Sequence, residues 1–232
     1  MDMEKGYEIV ENFLTEKEHQ YYLDVCKKVY SESKGNEHDN DNYSWNEKGN
    51  LNKVQGACNF EPKFLDLASH QSLTNRAKKY LNTDDSIDVY ISKFFPMKPK
   101  TGWSTFMHQD NYYFNGDPAN IISCAVYLED TSIENGCLRL VKDSHRQGVL
   151  PHEVESGIVG IRWIDEEILK EYEIIDLEIK APYAVFFDIN MVHGCHPNKS
   201  DKTRFSLAWE YIETSNRDVV ESEDFWCDRN TI

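Results

Sequence analysis

The spacing of apolar residues changes once along the chain. Up to about residue 86 they recur every three or four positions, the period of an amphipathic helix. From Ile87 onward they alternate, the period of a half-buried strand. In the first part, Thr15 and Glu18 form the T-x-x-E pattern of a capping box, and Tyr21, Tyr22, Val25, Cys26 and Val29 fall on one face of the helix it starts. Pro62 suits the first position of a second helix carrying Phe64, Leu65 and Leu67, and Ser72 caps a third that runs toward Leu81. Between the first two lies "SESKGNEHDNDNYSWNEKGN", rich in turn-forming residues and read as a loop, either a solvated connection or a flap over a site.

The second part predicts strands at "IDVYISKFF", "NIISCAVYL", "GCLRLV", "EIIDLEI", "YAVFFDINMVH" and "RFSLAWEYI", with Gly, Pro, Asn and Asp in the gaps. A doubly wound parallel sheet needs a helix between successive strands, and only "DEEILKEY" offers one. The expected fold is therefore mainly β, a sandwich or jelly roll with accessory helices packed on it. The chain is expected to be one domain over 1–232: a mostly helical part with a loop at 1–86, a β core at 87–212 and a tail at 213–232. The tail "ESEDFWCDRNTI" reads as a surface segment pinned by Phe225 and Trp226.

Composition narrows the function. A chain of 232 residues with 40% hydrophobic and 12% aromatic residues can bury a core. The net charge of -16 disfavours nucleic acid and anionic membrane as partners. No run of about 18 apolar residues suggests a membrane span, and the charged start lacks a secretory pattern. Six scattered cysteines, none in a CxxC pair, read as reduced thiols of a cytoplasmic protein.

Candidate chemistry centres on "FMHQDNYYFNGDPAN", where His108 and Asp110 stand two apart. On an extended strand they share a face. His108 could equally be a core histidine bonded to Asp110 with no metal. Downstream, His193 ends an apolar strand. A turn-rich stretch follows, and the next strand carries Arg204 and Ser206 on one face. That turn would lay the Arg204 strand back along the His193 strand. Two histidines and a carboxylate form the facial set that holds non-haem Fe(II) with coordination positions left open, and Arg204 can grip a remote carboxylate in a charge-assisted pair. Trp103, Phe106, Tyr112, Tyr113 and Phe114 form an aromatic stripe that is either core or pocket wall. Tyr112, Phe114, Trp103 and His152 are candidate pocket residues. His145 and His196 are further histidines, assigned to structural roles because the triad is complete without them.

With these residues in view, the chain resembles the phytanoyl-CoA dioxygenase-type Fe(II)/2-oxoglutarate oxygenases, a family that includes ectoine hydroxylases. The resemblance is carried by "HQD" at His108–Asp110, "ENGCLRLVKDSHRQG", "FFDINMVHG", "HPN" and "TRFSL", in that order from about Ile87 to Tyr211. It implies a double-stranded β-helix, the cupin-like form of jelly roll. It also implies His108, Asp110 and His193 as iron ligands, and Arg204 with Ser206 as the site for 2-oxoglutarate. Asn135, Gly136, Ser144 and His145 match scaffold positions. Two departures stand out. Lys142 and Asp143 replace a usual Pro-Gly, and Cys195 replaces a hydroxyl that helps hold the co-substrate. Asp110 stands where halogenating relatives have Gly or Ala, which favours oxygen transfer.

The implied activity consumes O2 and 2-oxoglutarate, hydroxylates an unactivated C–H of a small polar metabolite and releases succinate and CO2. Desaturation, cyclisation and epimerisation use the same cofactors. An amino acid, amine or amino-sugar suits the acidic surface, whereas a CoA thioester lacks a basic cluster to hold its phosphates. A non-oxidative metal enzyme and a metal-free binding protein on the same barrel are the alternatives of other classes.

Overall fold

A computed structural model describes residues 4–33, 43–45, 51–100, 104–114, 121–154, 162–216 and 228–232. In chain order its elements are β1 (Tyr7–Glu11), α1 (Glu16–Ser33), β2 (Tyr43–Trp45), β3 (Leu51–Gln55), α2 (Ala57–Phe60), α3 (Pro62–Ala68), α4 (Gln71–Leu81), β4 (Ile87–Met97), β5 (Ile121–Tyr127), β6 (Leu138–Val141), β7 (Glu153–Val154), β8 (Arg162–Trp163), α5 (Glu166–Leu169), β9 (Ile174–Asp176), β10 (Tyr183–Asp188), β11 (His193–Cys195), β12 (Arg204–Glu213) and β13 (Asn230–Thr231). None of the described helices is long and apolar enough to cross a membrane.

Three layers result. The main sheet runs β1-β10-β5-β12-β4-β3-β2, with β13 also on β4, and a smaller sheet runs β11-β6-β9. Every pairing is antiparallel. Side chains that alternate along each strand serve different layers. On β12, Phe205, Leu207, Trp209 and Tyr211 pack with Phe64, Leu67, Leu73 and Ala77 of the helices. From the other face, Tyr127, Tyr183, Val185 and Phe187 of the main sheet meet Leu138, Leu140 and Met191. The expectation of a mainly β jelly roll with accessory helices holds.

The local signals hold unevenly. Thr15 and Glu18 cap α1 reciprocally, the Thr15 amide donating to Glu18 Oε2 at 2.8 Å and the Glu18 amide to Thr15 Oγ1 at 3.3 Å. Tyr22, Cys26 and Val29 are buried, but Tyr21 is exposed, because the buried stripe is narrower than the apolar run. α3 starts at Pro62 as expected. α4 starts earlier than expected. Its cap is His70, whose Nδ1 accepts from the Ser72 amide at 3.2 Å, so Ser72 lies within the first turn. "DEEILKEY" gives α5, capped by Asp165.

Five expectations need correction. The helical first part also supplies β1, β2 and β3 to the main sheet. The polar segment assigned to a loop contributes β2, and the rest of its loop or flap, 34–42 and 46–50, lies outside the described residues. "YAVFFDINMVH" is two strands: β10 ends at Asp188, a turn closes through the Met191 amide to the Asp188 carbonyl at 2.8 Å, and β11 joins the smaller sheet. Consequently β12 pairs β4 and β5, not the His193 strand. Finally, the tail is not a mere surface segment. Asp228 is buried and β13 extends the main sheet, while Phe225 and Trp226 lie outside the described residues.

Candidate metal centre

His108, Asp110 and His193 come together from three different local structures. Instead of lying on a regular strand, His108 makes an isolated antiparallel bridge with His193, each amide donating to the other's carbonyl at 2.9 Å. This correction matters: Asp110 opens a single 3₁₀ turn over Asp110–Phe114, so the turn and not strand alternation brings the carboxylate round to the histidines. The bridge needs Gly194, because a Cβ there would lie 2.7 Å from both Met107 Sδ and the Thr105 carbonyl.

The rings are oriented from behind. His108 Nδ1 lies 2.8 Å from the Phe106 carbonyl and His193 Nδ1 3.0 Å from the Met191 carbonyl. A carbonyl can only accept, so both Nδ1 atoms carry the proton and both Nε2 lone pairs face inward. His108 Nε2 is 3.6 Å and His193 Nε2 3.8 Å from the Asp110 carboxylate. One donor atom from each of the three residues lies within 4.8 Å of the others. Ser123 donates to Asp110 Oδ2 at 2.7 Å and fixes that carboxylate. Burial alone would raise the Asp110 carboxyl, but His193, His108 and Lys93 hold it well below the usual carboxylate range. Burial pushes His193 down to about 4 against the pull of Asp110. An anionic oxygen and two neutral imidazole nitrogens on one side of a point are a donor set that fits Fe(II) and leaves its other side open.

Arg204 starts β12 and is 3% exposed. Its Nε donates to the Asn135 carbonyl at 3.2 Å, its Nη2 touches Met97 Sδ, and its plane lies 5.1 Å from the Tyr127 ring centroid. Nη1 is buried and unpartnered, and among the described residues no carboxylate pairs with this guanidinium. A buried cation left in this state is costly unless an anion arrives. Ser206 shares its face and is buried. Cys195 is half-buried, and its Sγ accepts from the Thr105 amide at 3.1 Å, tying β11 to the segment before His108.

The aromatic stripe divides. Phe114 packs with Tyr90, Ile91, Ile121, Ile189 and Ile212, away from the triad. Tyr112 stacks on His152 at 4.3 Å. His152 is held between the Gln109 amide, which donates to its Nε2, and the Leu150 carbonyl, and burial lowers it to about 4. Trp103 lies outside the described residues. Tyr113, part of the stripe but not singled out for the pocket, has its ring 6.1 Å from that of His108. His196 joins Cys137 and Asp176 in a second cluster, where it and Arg139 share the Asp176 carboxylate at 2.8 and 3.4 Å. His145 packs under Gly6.

Two residues escaped sequence reasoning. Gln109, between His108 and Asp110 in sequence and fully buried, ties Gly148, Leu150 and Asn190 to the centre through its side-chain amide. Lys53 of β3 shares the inner face with Gln55 and Lys93. Burial, then Lys93, lowers it to about 8 against the pull of the Glu210 carboxylate. Its signal was a lysine between the apolar residues of "LNKV", a short stretch just after the polar segment to which no element was assigned.

Residues 3–206 match the phytanoyl-CoA dioxygenase (PhyH) family. A phytanoyl-CoA dioxygenase domain-containing protein 1 homolog of Dictyostelium discoideum is 27% identical over 75% of this chain, and the match spans 64% of that relative, less than two thirds of its length. A probable alpha-ketoglutarate-dependent hypophosphite dioxygenase of Stutzerimonas stutzeri is 23% identical over 95% of this chain and 82% of its own. In fold, EctD from S. alaskensis with bound Fe superposes with a TM-score of 0.79 at 20% identity, covering 97% of this chain and 80% of that one. The epimerase SnoN from nogalamycin biosynthesis superposes at 0.70 and 21%, covering 91% and 80%. With the match spanning most of its length and an inward-facing histidine–aspartate–histidine set at its centre, the chain belongs to the phytanoyl-CoA dioxygenase (PhyH) family.

Proposed function

We propose that the protein is an Fe(II)- and 2-oxoglutarate-dependent dioxygenase that hydroxylates a small polar molecule. The observation that carries this reading is the pairing of two features in one barrel: three inward donors, and on the facing sheet a buried guanidinium that no described carboxylate pairs and whose Nη1 has no hydrogen-bond partner among the described residues. His108, Asp110 and His193 would hold the metal, each oriented by the Phe106 carbonyl, the Ser123 hydroxyl and the Met191 carbonyl respectively. Arg204 would take the remote carboxylate of 2-oxoglutarate, with the Ser206 hydroxyl beside it and Cys195 near the same end. Bound iron and 2-oxoglutarate together supply the O2-dependent oxidation. The chain's share is to position: the Asn135 carbonyl and Tyr127 ring aim Arg204, and Tyr127, Tyr183 and Phe187 keep the interior dry.

The name of SnoN, an epimerase, favours keeping epimerisation as a second outcome of the same oxidant. Anaerobic addition of Fe(II) and 2-oxoglutarate should produce the visible metal-to-ligand band of the chelated keto acid, and oxygen should then release succinate. A protein that binds zinc for hydrolysis, or no metal, gives neither, and that result would end this reading.

A further inference from the structure

The inner face of the main sheet carries an ion pair beside the metal ligands. Lys93 of β4 stands across from Ala208 of β12, and its Nζ reaches Glu210 Oε1, 2.9 Å away. Glu210 is registered opposite Ser123, the residue that holds Asp110, so the pair flanks the metal centre. Its two ends are covered differently: the Glu210 side chain is 3% accessible and that of Lys93 16%. The Lys93 side chain is the less covered member of the pair. An ammonium has three N–H donors, and Glu210 Oε1 takes one. The charge balance points the same way. Lys53, Lys93 and Arg204 face the interior against Asp110 and Glu210, while Glu129, beside Arg204 at the start of β12, accepts from the Phe205 amide. The charges of bound Fe(II) and of the two carboxylates of 2-oxoglutarate cancel, so the side chains themselves decide the local charge. A substrate that was only a cation would meet the Lys93 ammonium as like charge.

We propose that Lys93, held by Glu210, anchors an oxyanion of the substrate, so that the enzyme acts on small organic or phosphorus oxyanions and not on plain amines or sugars. This rests on the oxygenase reading above. The name of the Stutzerimonas relative, which covers 95% of the chain, contains such an anion.

The test is a binding panel on the anaerobic Fe(II)·2-oxoglutarate protein, read by perturbation of the visible band and by titration calorimetry. Amino acids, hydroxy acids, phosphonates and hypophosphite are set against amino-acid amides, polyamines and neutral sugars. Binders are expected only in the first set, and its carboxylate and phosphorus arms identify which oxyanion is taken. Lys93→Met should weaken the best binder at least about tenfold, the worth of one charge-assisted hydrogen bond, and Lys93→Arg should stay within about threefold of the native protein. A binder of equal strength without an oxyanion, silence from the whole first set, or unchanged affinity in Lys93→Met overturns the anchor. No visible band in the native protein overturns the oxygenase reading instead.

Discussion

The two faces of β12 are buried alike and built from opposite materials. Outward, Phe205, Leu207, Trp209 and Tyr211 are at most 4% exposed and lie among the helices. Inward, Arg204, Ser206 and Glu210 are at most 5% exposed and carry charge or hydroxyl groups. Apolar burial explains the first face, since each large side chain removed from water contributes a few kcal/mol. It cannot explain the second, where buried charge opposes folding unless paired. Arg204 Nη1 and Glu210 Oε2 have no hydrogen-bond partner among the described residues. The difference teaches that the inner face is arranged for molecules that enter, at some cost to the empty fold.

The sharpest way to break this contrast is to damage each face in turn. Asp110→Ala should bring succinate release to background while the far-ultraviolet spectrum and the cooperativity of melting stay native; a variant that kept turnover would remove Asp110 from the metal centre. Trp209→Ala should do the reverse. It opens a cavity against the helices and should cost about 3–5 kcal/mol in urea unfolding, with the folded fraction still binding 2-oxoglutarate. Arg204→Met keeps much of the side-chain volume but removes the guanidinium. The affinity for 2-oxoglutarate should fall by roughly tenfold to a hundredfold, with iron retained. Unchanged affinity would mean that the buried cation serves some other anion.

How far the sequence discloses this contrast depends on which interactions are local. Period-two alternation from Ile87 placed Arg204 and Ser206 on one face and Trp209 on the other, because neighbours along a strand determine that. The capping box of α1 was readable for the same reason. The break between β10 and β11 was not, since in "FFDINMVHG" Asp188 and Asn190 alternate with Ile189 and Met191 as on a continuing strand, and the turn at Asp188–Met191 is set by backbone bonds that the alternation does not encode. So His193 was found while the strand that carries it was misplaced, and Arg204 was assigned to the site from a strand pairing that does not occur. Lys53, Lys93 and Glu210 were invisible as a group. They come from β3, β4 and β12, and only register brings them together. Tyr113 was in view as part of the aromatic stripe, but periodicity could not tell its ring, near His108, from that of Phe114, which turns into the core.

A smaller effect separates buried carboxyls across the main sheet. Asp110, on the inner side, is held ionised by its histidines and Lys93. Asp228 follows the opposite course: burial pushes it up to about 6, against its hydrogen bond from Ser92. The Ser92 hydroxyl donates to Asp228 Oδ2 and accepts from the Cys58 amide at 2.7 Å, and Asn59 Nδ2 lies 3.4 Å from Asp228 Oδ1. A carboxyl whose folded value exceeds its unfolded one favours the fold when protonated. Its contribution is complete below the unfolded value of 3.8 and is lost as pH rises through about 6. Asp228→Asn removes that titration. Between pH 4 and pH 8 the stability of the variant relative to the native protein should therefore rise, by on the order of 2 kcal/mol. Urea unfolding of both proteins at pH 4, 6 and 8 measures it directly. A gap that stays constant across the three would show that the Asp228 carboxyl is ionised in the fold throughout, and that the outer layer of the sheet tolerates charge as readily as the inner one.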